Sequence, residues 1–438
     1  MRRSRYEIAA RYRNREVAGS HLRPTSRTTF ERRSPLWLSD IVISNGDKNG
    51  SLTEGYISDI GMCRVFLRAA WNPREPWTRR SKRVLRRADL DWNRVATYLT
   101  ECGLARPLLA PIKGPKSVCR PPRFFVERLE TRAAEDALVD LMKMGALRRI
   151  ASVLGKVGGR GVLLKGTALQ LLQAGRGGFQ LQRATGDIDL YCDPPFGSAL
   201  RRHLLEEGGR NEEVGDRRTA PHHLAPVLVE GVVVEIHEHI MPSVWGLPER
   251  EMLAQSRPID GLGPLHTLSP EGLLLHAGMH ASAHLFSNGL KAAWDLRWIS
   301  GRFPELDWDL VARWAEVSRL PRGFWVPVRV LAQDLSIPFP SGFLERARVD
   351  RRQSKLEIIA RHRLFSALER PLEVNSLSKN GVFLLFHDSW LGWVRYMAAE
   401  ALDTVRLEHP PQSFQRVCRQ LPAAFAQWRR YRRALAKT

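Results

Sequence analysis

The chain contains 438 residues, 43% of them hydrophobic, and carries a formal net charge of +22. This length and composition predict a soluble globular protein of about two or three domains with a sizeable core. The longest apolar runs, such as residues 382–386, are far shorter than the roughly 20 residues that a transmembrane helix needs. We therefore expect neither a membrane-spanning helix nor a membrane partner.

The N-terminus and the cysteines indicate the compartment. The first residues, MRRSRYEIAARYRNREVAGS, are basic but lack the apolar core of about 7 to 15 residues that a secretory signal needs. The five cysteines are scattered and form no C-x-x-C pair, which argues against a disulfide framework and a cysteine-based zinc site. We expect a cytoplasmic protein with reduced, structural thiols.

The positive charge is concentrated in three flanking segments. Residues 1–33 contain ten Arg and three Glu, while residues 77–87 and 416–438 contain six and seven basic residues and no acidic ones. The sequence from 88 to 415 is close to neutral. We interpret the flanks as solvated or poorly ordered. Nucleic-acid binding by their arginines and aromatic residues is the alternative, which we do not favour.

The N-terminal part divides into an extension and a helical segment. Residues 1–87 have no sustained periodicity and predict a basic, poorly ordered extension. Residues 88–160 predict helices. In this segment DLDWNRVATYLTECGLA is typical of a helix with Asp89 or Asp91 as its N-cap. Residues 124–157 have apolar positions at intervals of three and four, which predicts one or two long helices.

Residues 161–262 change to a mixed pattern of strands and helices. GVLLKG predicts a strand, TALQLLQAG a helix, GDIDLYC a second strand, and FGSALRRHLLEEGG another helix. HLAPVLVEGVVVEIHEHI predicts two strands joined by a tight turn at Glu230 and Gly231. The predicted class is α+β, with a small mixed sheet that carries helices.

Residues 263–415 predict an α-helical C-terminal domain, which the basic tail follows. Its first helix begins with Ser-Pro-Glu, a typical start signal. His276, His280 and His284 recur every four residues on this helix, but there is no H-E-x-x-H signature. We interpret these histidines as packing or polar-contact residues and predict no zinc.

Two aspartates, Asp187 and Asp189, stand one residue apart in an apolar strand. Side chains two residues apart share one face of a strand, so the two carboxylates would repel unless a cation lies between them. The same alternation in VVVEIHEHI makes Glu235 a third acid, on one face with His237 and His239. Such oxygen ligands favour Mg²⁺ or Mn²⁺. Two such ions about 3.5 to 4 Å apart promote in-line phosphoryl displacement.

Lys165, Gly166 and Thr167 lie between the first predicted strand and its helix. Gly166 would let a phosphate approach the backbone, and Thr167 would offer a hydroxyl at a helix N-terminus, where main-chain N–H groups attract anions. Lys165 would add positive charge. Followed by the two aspartates, this triplet indicates phosphate-transfer chemistry. The alternative is a pair of aspartates at an exposed strand end.

The stretches LLKGTALQLL, QRATGDIDLYC, VVVEIHEHI and LSPEGLLLHAGMHASAHLF resemble the uncharacterised nucleotidyltransferases, a branch of the polymerase-beta-like superfamily. The resemblance covers roughly residues 88–400 and is strongest at 161–192 and 232–299. It implies a minimal nucleotidyltransferase palm at 161–262 with an appended helical domain. It also implies Mg²⁺-dependent nucleotidyl transfer from an NTP, with ATP as the expected donor.

The resemblance assigns roles to the residues of the predicted phosphate and metal sites. Gly166 and Thr167 match the glycine motif that holds the triphosphate, and Lys165 lies beside them. Asp187 and Asp189 match the metal-binding pair. Members of the superfamily often have serine where this chain has threonine, and either residue supplies the hydroxyl.

Two further positions follow from the resemblance. Glu235 falls where the third carboxylate lies, and it would bind metal and orient or deprotonate the acceptor hydroxyl. The third acid is often aspartate, so the extra methylene of glutamate changes how the metal would be held. Arg183 matches the arginine that commonly precedes the aspartate pair and would bind the nucleotide; a surface arginine in a loop is the alternative.

The sequence leaves three functional hypotheses. The first is a nucleotidyltransferase that modifies a hydroxyl of a small molecule, peptide or protein, which the nearly neutral central sequence favours. The second is the same chemistry on RNA or DNA, with the basic flanks holding the polymer. The third is an inactive nucleotide-binding or interaction module that keeps the fold.

Overall fold

The computed structural model describes residues 64–69, 71, 91–114, 117, 120–174, 183–211, 222–286, 289–347, 349–365, 382–383, 385–387 and 392. The predictions for most of 1–87 and for the tail at 416–438 lie outside these residues. The described part of the extension, 64–69, is helical, and Phe66, Leu67 and Ala69 are buried in the core, so the prediction of a poorly ordered extension is wrong for this segment. Within the described part, no helix combines the length and the apolar character that crossing a membrane requires.

Helices make up most of the described chain. They include α1 (Trp92–Glu101), α2 (Ala105–Lys113), α3 (Arg123–Val157), α4 (Lys165–Ala174), α5 (Pro194–Glu206), α6 (Glu249–Ala254), α7 (Pro270–Ala283), α8 (Leu290–Arg302), α9 (Trp308–Val317), α10 (Pro321–Leu335), α11 (Ser341–Glu345) and α12 (Arg351–Phe365). The strands are β1 (Gly161–Leu163), β2 (Asp187–Cys192), β3 (Arg210–Asn211), β4 (Val227–Val229), β5 (Val232–His237), β6 (Arg257–Pro258) and β7 (Leu265–Thr267).

The strands form a seven-stranded mixed sheet in the order β3-β4-β5-β2-β1-β7-β6. The central strand β2 runs parallel to β5 and antiparallel to β1. The hairpin between β4 and β5 turns at Glu230 and Gly231, which both have positive φ, as a tight two-residue turn with the right twist requires. The predicted α+β class is confirmed, with a mixed sheet and a helical C-terminal part.

The two faces of the sheet differ in character. Leu190 of β2 and Val234 and Ile236 of β5 are fully buried on the side where α3 and α5 pack. Because side chains alternate along a strand, Asp189 and Glu235 point to the opposite face. The apolar packing of one face therefore fixes which residues the other face presents.

The sheet extends past residue 262, where the sequence suggested that the palm ends. Strand β7 pairs in parallel with β1, and the sheet continues to Thr267. Directly after it, the Ser269 hydroxyl accepts a hydrogen bond from the Gly272 N–H at 3.2 Å and caps α7, as the Ser-Pro-Glu signal predicted. Strand β7 has the sequence Leu-His-Thr, which lacks the apolar run that indicated the equally short β1 and β4, and this is why the sequence did not reveal it.

The N-terminal helices are anchored to the segment that leads into β2. Asp91 caps α1 by accepting from the Arg94 N–H at 3.1 Å, and residues 124–157 lie in the single long helix α3. Between α1 and α2, Gly103 has a φ of 68° and its carbonyl accepts from the Ala184 N–H at 2.9 Å. The turn after α1 thus holds the main chain at Ala184, three residues before Asp187.

This contact predicts a specific effect of a methyl group at Gly103. Its Cβ would lie 2.5 Å from the Ala184 carbonyl oxygen, in a backbone conformation that disfavours side chains. We expect Gly103→Ala to lower the free energy of unfolding by about 2 to 4 kcal/mol. Gly261, with a φ of 75° and open space around its Cβ, is the matched control.

Gly261→Ala should cost only the backbone penalty, about 1 kcal/mol. Chemical denaturation of both variants measures the two losses. Equal losses would contradict a close backbone contact at Gly103.

Candidate functional site

Two carboxylates face one another on neighbouring parallel strands. Asp189 of β2 and Glu235 of β5 are direct partners in the strand register. Asp189 is only 3% exposed, and Glu235 is half-buried. Like charges directly opposite one another in a sheet are destabilising, and burial increases the penalty. The pair therefore needs positive charge close by.

Lys165 supplies part of that charge. Its Nζ lies 2.5 Å from Asp189 Oδ1. Lys165 begins α4, separated from the end of β1 by one residue, and has a φ of 52°, a conformation that non-glycine residues adopt at a cost and that is common at functional sites. Burial opposes its charge, but the carboxylates of Asp189, Glu235 and Asp187 outweigh burial and raise the pKa of Lys165.

His237 is the second partner of Asp189. Its Nε2 lies 3.0 Å from Asp189 Oδ1 and 3.9 Å from Glu235 Oε2. Its buried Nδ1 has no hydrogen-bond partner among the described residues. Ligand atoms of Asp189, Glu235 and His237 all lie within 4.8 Å of one another. Carboxylate oxygens with an imidazole nitrogen at this spacing fit a divalent cation.

The surroundings separate the acidities of the two carboxyl groups. Burial alone would raise the pKa of Asp189, but Lys165 and His237 outweigh it and hold that pKa well below its ordinary value. Burial and the charge of Asp189 raise the pKa of Glu235 to about 7. The site thus combines a firmly ionised carboxylate with one that exchanges a proton near neutral pH.

Asp187 lies on the same face but outside that group of three. It is half-buried at the start of β2, and its Oδ1 accepts from Thr185 Oγ1 at 2.7 Å. Its charge contributes to the raised pKa values of Lys165 and Glu235, so it belongs to the same electrostatic environment. Of the three predicted acids, the structure brings Asp189 and Glu235 together, with Asp187 beside them.

Gly166 and Thr167 are packed against the segment that precedes β2. A Cβ on Gly166 would lie 3.0 Å from Thr185 Cβ, so a larger residue would displace Thr185. Thr167 is buried, and its hydroxyl donates to the Asp187 carbonyl at 2.8 Å. This bond ties the first turn of α4 to β2. The phosphate contacts that we predicted for Lys165, Gly166 and Thr167 stay predictions.

Arg183 is a buried residue, and the surface interpretation is wrong. Its Nε donates to Asp295 Oδ1 at 2.7 Å and its Nη2 to Asp295 Oδ2 at 2.6 Å. Such a two-bond pair holds both planar groups in a fixed orientation. Because Asp295 lies on α8, the pair joins the lead-in to β2 to the helical part of the protein. The predicted nucleotide contact of Arg183 stays a prediction.

Of the two histidines of α7, His276 is buried and His280 is half-buried, and the charge of Asp189 acts on both. His276 is 1% exposed, and burial, with a smaller contribution from Lys165, lowers its pKa to about 3. Burial also lowers the pKa of His280 well below its ordinary value. Both histidines are therefore neutral at physiological pH, as side chains that pack in an interior would be.

Sequence reasoning did not single out Thr185 or Lys143. Thr185 orients Asp187, and Lys143 contacts the Thr185 carbonyl at 3.0 Å. The sequence contains one indication that Lys143 faces the interior. Lys143 stands three and four residues before the buried apolar residues Ala146 and Leu147, so helical periodicity places a lysine on the inward side of α3.

The ion pair between Lys165 and Asp189 predicts strong coupling in a double-mutant cycle. Lys165→Met leaves a buried carboxylate without its main partner, and Asp189→Asn leaves a partly buried ammonium without a counter-charge. In metal-free buffer we expect a coupling energy of about 1 to 3 kcal/mol in the free energy of unfolding.

The exposed pair Lys113–Glu130, also at 2.5 Å, is the control. Lys113→Met and Glu130→Gln should couple by less than about 1 kcal/mol. Denaturant titrations of the single and double variants measure both energies. Similar coupling in the two cycles would contradict a special role for the Asp189 charge.

Comparison with known proteins identifies the family. No curated protein and no solved structure matches the chain. The model of a family described as uncharacterised nucleotidyltransferase matches residues 88–333. The match exceeds half of the chain and includes the N-terminal helices, the whole sheet and most of the described helical part. The chain therefore belongs to the uncharacterised nucleotidyltransferase family, as its motifs predicted.

Proposed function

We propose that this protein transfers a nucleoside monophosphate from an NTP, with ATP as the expected donor, to an acceptor hydroxyl and releases pyrophosphate. Family membership supports nucleotidyl transfer as the general activity. The observation that supports the specific proposal is the opposition of Asp189 and Glu235 on parallel strands, with Asp187 on the same face. Three acids gathered on one sheet face beside a helix N-terminus suit the binding of a metal-bound triphosphate.

The proposed cofactor is Mg²⁺ or Mn²⁺. The residues that would hold it are Asp189 and Glu235, whose ligand atoms lie close to those of His237, together with Asp187 beside them on the same face. A bound cation of this kind supplies charge neutralisation at the phosphate oxygens and polarises the phosphorus that is attacked. Lys165 Nζ now neutralises Asp189 and would then be free to bind a phosphate oxygen.

The residues of the chain have distinct roles in the proposed reaction. Glu235 would orient the acceptor hydroxyl and accept its proton as the oxygen attacks the α-phosphorus. The first N–H groups of α4, at Gly166 and Thr167, would bind the pyrophosphate as it leaves. Arg183 would add positive charge near the aspartates. Burial opposes the charged form of Arg183, but Asp295, its main partner, and the charge of Asp187 outweigh burial and raise the pKa of Arg183.

The proposed acceptor is a small molecule, a peptide or a protein. The sequence from 88 to 415 is close to neutral, whereas a polynucleotide site needs a basic groove in the folded domain. The arginine-rich segments at 1–33 and 416–438 lie outside the described residues. We therefore rank a polymer acceptor second. A steep loss of binding with increasing salt would identify it.

The proposal predicts nucleotide-dependent stabilisation of the full chain. ATP, GTP, CTP and UTP are each added with Mg²⁺ or with EDTA, and the melting temperature is measured. A nucleotide at about 100 times its Kd should add roughly 2.7 kcal/mol of stability, which a melting curve detects readily. We expect the increase to require Mg²⁺ and to be lost in Asp187→Asn, because that change removes one metal-binding charge.

Asp260→Asn, at an exposed aspartate in a turn, is the control and should keep the full increase. If no NTP stabilises the folded wild-type chain, the active-enzyme proposal fails and the interaction module becomes the better hypothesis.

A further inference from the structure

Lys143 is a charged residue in the interior of the protein. It lies in the long helix α3 and is only 2% exposed. Burial lowers its pKa, while the carboxylate of Asp140, one helical turn earlier, favours the charged form. A buried ammonium is costly unless its donors are satisfied, so its partners indicate what the lysine is for.

The Lys143 ammonium has three hydrogen-bonding or charged partners. Nζ lies 3.0 Å from Asp140 Oδ1 and donates to the Thr185 carbonyl at 3.0 Å and to Gln170 Oε1. The Gln170 amide nitrogen donates to Asp140 Oδ1 at 3.3 Å and to the Arg183 carbonyl at 3.2 Å. Side chains of α3 and α4 thus form one network, which ends on the main chain just before β2.

A second anchor of this network comes from α2. Arg106 Nη1 lies 2.7 Å from Asp140 Oδ2, so Asp140 has cationic partners at both oxygens. The turn between α1 and α2 also accepts the Ala184 N–H at Gly103. The main-chain atoms of residues 183–185 are therefore held by the turn between α1 and α2, by Lys143 of α3 and by Gln170 of α4.

Thr185 transmits this restraint to the candidate site. Its hydroxyl donates to Asp187 Oδ1 at 2.7 Å, and its side chain is packed against Gly166, where an added Cβ would lie only 3.0 Å away. A shift of the Thr185 main chain would therefore move both the Asp187 carboxylate and the glycine at the start of α4.

We infer that Lys143 is a positioning residue, which holds the Thr185 carbonyl so that the Thr185 hydroxyl can fix the orientation of Asp187. The role of Asp187 in binding metal and nucleotide rests on the proposed function. The restraint on residues 183–187 is independent of the proposed function, because it follows from the hydrogen bonds alone. The same geometry assigns the N-terminal helical segment a part in shaping the site.

The test replaces Lys143 by methionine in the full chain, which keeps the length of the side chain but removes its donors. Amide hydrogen exchange is measured by mass spectrometry without nucleotide. We expect peptides covering 183–188 to exchange about tenfold faster, with little change in the β4–β5 hairpin at 227–237. Lys156→Met, at an exposed lysine of the same helix, should leave both regions unchanged.

The consequence for the site is measured separately, as the apparent Kd for Mg²⁺–ATP. We expect about a tenfold weaker Kd in Lys143→Met and a similar loss in Thr185→Val, which replaces the hydroxyl that reaches Asp187 with a methyl group. Thr185→Val keeps the carbonyl that Lys143 holds, so exchange at 183–185 should stay near the wild-type rate.

The outcomes separate this inference from the proposed function. Wild-type exchange at 183–188 in a folded Lys143→Met variant overturns the inference, and so does an equal increase in 227–237, which would indicate general loosening. If wild-type protein binds no nucleotide, the proposed function fails, while the exchange comparison still decides the positioning role. Should Lys143→Met not fold, the double variant Lys143→Met/Asp140→Asn, which also removes the Asp140 charge that would lose a partner, takes its place with the same expected increase.

Discussion

Two carboxylates that face each other on neighbouring strands are stable only with positive charge between or beside them. Asp189 and Glu235 are in that position because β2 and β5 are parallel partners and bury their alternate apolar side chains against α3 and α5. Lys165 and His237 supply the positive charge or hydrogen bonds that Asp189 needs. Replacing any one of these polar side chains by an apolar one would leave another without its partner. A divalent cation fits the same donors, which is why this face is the candidate site.

The helices outside the sheet contribute to the site through the segment that leads into β2. Arg183 is bonded to Asp295 of α8, Ala184 to Gly103, and Thr185 to Lys143 of α3. The family match agrees with this dependence, because it begins at residue 88 and continues to 333 and so includes these helices with the sheet. The N-terminal helices and the C-terminal helical part therefore both help to hold the strand that carries the aspartates.

The sequence predicted the parts of the site that depend on local periodicity. Strand alternation is enough to place Asp187 and Asp189 on one face and to add Glu235, and the turn at Glu230 follows from its Glu-Gly pair. Bonds between distant segments could not be predicted in this way. The contact of Lys143 with the Thr185 carbonyl spans 42 residues, and neither residue type indicates the other. For the same reason the sequence did not reveal Asp295 as the partner of Arg183, since the two residues are 112 positions apart.

The proposed function requires the face shared by β2 and β5 to bind a divalent cation together with a nucleotide. It is tested most directly by electron paramagnetic resonance titration of Mn²⁺ into the full chain, with and without ATP, for wild type, Glu235→Gln and the control Glu230→Gln in the exposed hairpin turn. Glutamine keeps the shape of the side chain and removes its charge. We expect Glu235→Gln to weaken Mn²⁺ binding in the presence of ATP by at least about tenfold and Glu230→Gln to leave it unchanged. Equal Mn²⁺ binding by wild type and Glu235→Gln, or no Mn²⁺ binding by wild type, would contradict the proposed function.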